Sequence, residues 1–104
     1  MDYSTKINEL EDKIRENRTK GIPVDCLIKQ QIELFQKAHD EMLEIVKNKG
    51  IAYNLNIAEA EIAQLSAIIT LSEQIGEPTD SYKSRITEIE KEFVGDNVTI
   101  EFND

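Results

Sequence analysis

Residues Leu55 to Ile75, LNIAEAEIAQLSAIITLSEQI, contain no Lys or Arg and only three acids, with apolar side chains on more than one side. Leu55, Ala58, Ile62, Leu65 and Ile69 recur at steps of three and four, the spacing of one helix face. Ile57, Ile68, Leu71 and Ile75 form a second stripe, displaced around the axis. A helix that is apolar on two sides must be covered on two sides. Ala58, Ala60, Ala63 and Ala67 let those neighbours come close. This stretch is the expected centre of the fold.

The rest of the chain supplies the covering elements. A first helix is expected over about 4–19, with Tyr3, Ile7, Leu10 and Ile14 as a narrow seam and Glu9/Lys13 and Glu11/Arg15 spaced for helical ion pairs. Gly21 suits the left-handed residue after a helix, and Pro23 cannot continue one. Asp25 is expected to cap a long second helix over about 25–49. That helix carries one stripe of Ile28, Ile32, Phe35, His39, Met42 and Val46 and another of Leu27, Leu34, Ala38 and Ile45. Asn54 or Asn56 caps the third helix, Asn56 with Glu59 having capping-box spacing. Gly76 and Pro78 break the chain again, and Thr79 or Asp80 starts a fourth helix over about 80–94 with Tyr82, Ile86, Ile89 and Phe93 on its seam.

The expected fold is therefore all-α: a long antiparallel hairpin (about 25–49 and 55–75) flanked by two shorter helices. It forms one helical-bundle domain over 1–95. From Asp96 the period changes to two, with Val98, Ile100 and Phe102 alternating with polar residues. An extended acidic tail over 96–104 follows, able to add as a strand to a sheet edge. The hairpin's apolar stripes are wider than two narrow seams can cover, which favours a homodimer.

Composition narrows the function. Twelve bases against 21 acids give a net charge of −9, which argues against phosphate-backbone binding and against an anionic membrane surface. No apolar run approaches the ~20 residues that span a bilayer. The first residues lack the apolar core of a signal peptide. The single cysteine, Cys26, fits a reducing, cytoplasmic setting, where it reads as a small buried hydrophobe. Heavy use of Ile, Lys, Asn and Glu suits an AT-rich genome such as that of a low-GC bacterium or its phage.

Few residues offer chemistry. With one histidine and one cysteine, neither a metal site nor a nucleophilic triad can be assembled, and no cofactor is expected. His39, between Phe35 and Met42 on the apolar stripe, reads as a hydrogen-bonded histidine in a core or a subunit seam. Glu41-x-x-Glu44 and Glu77-x-x-Asp80 resemble the paired acidic motifs of all-α, Mg²⁺-dependent nucleotide pyrophosphohydrolases, a resemblance that implies a metal-dependent hydrolase. Pro78 inside the second pair places that pair across a helix start.

The leading expectation is a non-catalytic protein-interaction module: an adaptor, chaperone-like partner or assembly factor. It would self-associate through the second and third helices and offer Phe35, His39, Met42, Val98, Ile100 and Phe102 to a protein partner. An acidic inhibitor of a basic or nucleic-acid-binding protein is the alternative, and the hydrolase comes third.

Overall fold

The computed structural model describes residues 3–93. Four helices follow in order: α1 (Tyr3–Thr19), α2 (Asp25–Asn48), α3 (Leu55–Gln74) and α4 (Asp80–Phe93). The expected 96–104 tail and its apolar residues Val98, Ile100 and Phe102 lie outside the described residues.

One turn chemistry ends each of the first three helices. Gly21 (φ 73), Gly50 (φ 66) and Gly76 (φ 73) take the left-handed conformation after α1, α2 and α3. At Gly50 the chain reverses into the hairpin: its amide bonds the Lys47 carbonyl at 3.2 Å, and the Ile51 amide reaches the Val46 carbonyl at 3.0 Å. Carbonyls that a helix end would leave unpaired are thereby satisfied. The same two bonds recur after α1, from Gly21 to Arg18 and Ile22 to Asn17, and after α3, from Gly76 to Glu73 and Glu77 to Ser72. All three turns are short, so successive helices run antiparallel.

The starts differ in part from expectation. Asn54, extended at φ −132 and ψ 178, caps α3 by accepting from the Ile57 amide at 3.0 Å. This choice leaves Asn56 inside the first turn, where it cannot serve as the cap. Asp25 is the first residue of α2 and not its cap; Val24 holds the cap position without a side-chain bond. Asp25 still places a negative charge in the first turn, where the helix dipole favours it.

α2 and α3 form the central hairpin, α1 lies along α2, and α4 lies along α3. The flanking helices thus sit at opposite edges of the hairpin. The core comprises Ile14, Val24, Ile28, Ile32, Ala58, Leu65, Ile68 and Ile89, one cluster fed by all four helices and the α1–α2 turn. Phe35, Ile62, Leu71, Tyr82, Ile86 and Phe93 close over it. Gln31, buried in α2, donates to the Ile7 carbonyl of α1 at 3.0 Å, and Gln36 donates to the Tyr82 hydroxyl of α4 at 2.6 Å.

Two details correct the sequence reading. The most buried line on α3 is Ala58, Glu61, Leu65, Ile68 and Ser72. It draws on both apolar stripes and includes two polar residues, while Leu55 is 56% exposed. Cys26 is exposed and not a buried hydrophobe. It stands two residues from Ile28, about 200° around the helix, so burying Ile28 turns Cys26 outward. No helix in the described residues is long and apolar enough to cross a membrane.

Candidate functional site: a buried carboxylate at the centre of the fold

Glu61 sits at the middle of the buried line on α3 with its side chain 0% exposed. A carboxylate taken from water must be repaid by donors, and every neighbouring element of the hairpin supplies one. Arg85 of α4 grips it with two parallel bonds, Nε to Oε2 at 2.9 Å and Nη2 to Oε1 at 3.0 Å. His39 of α2 approaches Oε2 through Nε2 at 2.8 Å. Tyr53, in the α2–α3 turn, donates its hydroxyl to Oε1. An ionised carboxylate only accepts, so His39 carries its proton on Nε2.

The surroundings hold this geometry. The Arg85 guanidinium lies 5.8 Å from the Tyr53 ring centroid, within cation–π range. The Tyr53 ring packs tilted against Phe93 at 5.6 Å. Arg85 also reaches Glu88 at 3.4 Å on the outer side of α4.

Burial pushes the Glu61 carboxyl towards neutrality, but the bonds from Arg85, Tyr53 and His39 outweigh it and hold its pKa down to about 2. Burial first, and then the bond to Glu61, push the Tyr53 phenol up to about 12. The bond to Glu61 raises the Arg85 guanidinium still further into its charged form.

A carboxylate offers about four lone-pair positions. Here Oε1 takes Tyr53 and Arg85, and Oε2 takes His39 and Arg85. No position is left for a cation, a water nucleophile or a substrate. The cluster is a brace that ties α2, the hairpin turn, α3 and α4 at one point.

The residues singled out from the sequence are dispersed. His39 is within the brace. Phe35 packs on the core. Met42 lies farther along α2, lining an open apolar groove with Tyr3, Ala38, Glu41, Ile45 and Val46. The two acidic pairs do not converge. Glu77 bonds Lys29 near the start of α2 at 3.4 Å, whereas Glu41 is twelve residues farther along, about 18 Å, and accepts from Tyr3. Among the described residues no group of three or more His, Cys, Asp or Glu could hold a metal ion.

Glu61, Arg85 and Tyr53 were missed in the sequence. A usable signal was present for Glu61: an acid three residues after Ala58 and four before Leu65, in the least charged helix, lies on the face those two bury. Comparison with protein-family models, curated proteins and solved structures finds no match. What fold and site define is a class only: an all-α, four-helix protein braced by a buried ion-pair cluster.

Proposed function

We propose that this chain is a non-catalytic protein-interaction module that self-associates through the end of the α2–α3 hairpin. The carrying observation is the placement of its uncovered apolar residues. Among the described residues, Ile45 (51% exposed), Ile51 (44%) and Leu55 (56%) are three of the four large apolar residues left exposed, and all three flank the turn between α2 and α3. Met42 and Val46 extend the patch along α2.

A patch that meets itself across a two-fold axis requires no second protein. Glu44, Lys47 and Lys49 surround it and make no ion pair among the described residues. The acid of one copy can therefore face the bases of the other. The brace supports a binding role over a catalytic one, because its one buried carboxylate has every acceptor position occupied.

The test is solution mass against concentration for the native chain and for an Ile45→Lys, Leu55→Lys variant. The native chain should associate and the variant remain monomeric with unchanged helical content. A native chain that stays monomeric throughout refutes the reading. Added salt should weaken the association little, since its centre is apolar; a steep loss would favour the acidic-surface alternative.

A further inference from the structure

The difference in length between α1 and α2 decides which part of α2 stays uncovered. α1 has 17 residues and α2 has 24, about 25 Å and 36 Å of helix. They run antiparallel, with Gln31 bonded to the Ile7 carbonyl and the Tyr3 hydroxyl bonded to Oε2 of Glu41. α2 therefore continues for about two turns past Tyr3 with no described helix beside it on that side. Ile45, 51% exposed, lies in this bare end and lines an open groove with Tyr3, Ala38, Glu41, Met42 and Val46.

Glu41 stands four residues before Ile45 and Lys49 four residues after it, so all three share one side of the helix. Both charged residues are exposed, and neither makes an ion pair among the described residues. Glu44 and Lys47 lie about 100° and 200° around the helix from Ile45, off this strip. The strip thus has an apolar centre with opposite charges at equal distances on either side. Turned end for end, it is complementary to itself. We propose that the second copy lays its own α2 end antiparallel along this one, with Ile45 at the two-fold axis and Glu41 of each copy paired with Lys49 of the other. The proposal rests on the self-association put forward above and adds its orientation and the residues that set it.

Glu41 and Lys49 are about 12 Å apart along the axis, and reversing the strip about Ile45 brings each acid level with the other copy's base. At a helix spacing of about 8–10 Å, side chains of this length meet. The incoming helix continues the line of α1, and its last turn arrives beside Tyr3. Glu41 can serve both contacts, because Tyr3 is bonded to Oε2 and leaves Oε1 open. A parallel arrangement would set Glu41 against Glu41 and Lys49 against Lys49, so the charges select the antiparallel direction. Ile45 and Met42 supply the apolar centre, and the two-fold axis repeats every contact.

The experiment is sedimentation of the full chain as native protein, as Glu41→Lys, as Lys49→Glu, and as an equal mixture of the two variants. Each variant alone sets like charges together at both pairs and should dissociate about tenfold more readily than the native dimer, with unchanged helical content. The mixture should regain native affinity as a heterodimer, because the new base of one variant faces the new acid of the other and the native pair remains intact. A mixture that associates no better than either variant alone overturns the inference. A native chain that stays monomeric fails the self-association reading itself, whereas a native dimer with no recovery in the mixture fails only the pairing. A second measurement avoids the charges. Ile45→Cys in a Cys26→Ser chain should oxidise to a disulfide-linked dimer, since a residue at a two-fold axis faces its own copy. Lys47→Cys in the same chain should not. No cross-link at position 45, or equal cross-linking at both positions, also overturns the inference.

Discussion

Replacing Arg85 by methionine removes two of the four hydrogen bonds to a carboxylate that has no solvent contact, while keeping an unbranched apolar stem. Two routes give the size of the effect. Truncating one partner of a buried ion pair costs about 3–5 kcal/mol, because the remaining charge is left uncompensated. The Glu61 carboxyl is held at about 2 against an ordinary 4.5, and that difference corresponds to about 3 kcal/mol. Arg85 supplies the largest share of the lowering, so Arg85→Met should lose about 3 kcal/mol at neutral pH. That is a large part of the ~5–15 kcal/mol holding a domain of this size together.

The variant's response to pH is the sharper test. In the native chain the folded pKa of Glu61 is depressed, so its contribution is present above about 4.5 and is lost as pH falls towards about 2. Without Arg85 the largest lowering contribution is gone, while the bonds from Tyr53 and His39 still oppose burial, so the folded pKa moves up towards the unfolded one. The acid-side slope then flattens: the variant should lose less stability than the native chain as pH falls from about 4.5 towards about 2. Urea unfolding followed by circular dichroism across this range measures both slopes. A second change, Glu61→Leu in the Arg85→Met background, should recover much of the loss, since an apolar pair of similar volume often equals a buried ion pair. A loss under about 1 kcal/mol for Arg85→Met, with no change of slope, would refute the reasoning.

Three further outcomes follow from the same geometry. Glu61→Gln should remove the part of acid unfolding between pH 4.5 and about 2 that Glu61 carries, read as a flatter stability profile there than the native one. Absorbance titration should find one phenol at about 12, absent in Tyr53→Phe. Its raised pKa means that the associated stability is present below 10 and disappears as pH climbs from 10 towards 12, and Tyr53→Phe should cost about 1.5–3 kcal/mol near neutrality. Asn54→Ala removes the bond to the Ile57 amide and should cost about 1 kcal/mol in the same urea assay.

Local physics determined where the helices begin and end. A glycine at 21, 50 and 76 can take the left-handed conformation that ends a helix, and prolines at 23 and 78 prevent resumption. Apolar spacing between those stops has a period only a helix satisfies, so the four-helix count and the α2–α3 hairpin were legible without coordinates. These are properties of residues a few positions apart.

Burial on α3 was a different matter. Periodicity marked two stripes but not which of their residues the neighbours would cover, and neither stripe included Glu61. Only the packing of α2 and α4 on either side of α3 brought His39 and Arg85, with Tyr53 of the turn, onto one carboxylate. Arg85 is 24 residues from Glu61, and His39 is 22. Whether a charge can be buried depends on donors converging from such distances, and no rule of local spacing contains that information. Cys26 makes the same point in reverse: its apolar character favoured burial, and the rotation of α2 that seats Ile28 left it in water.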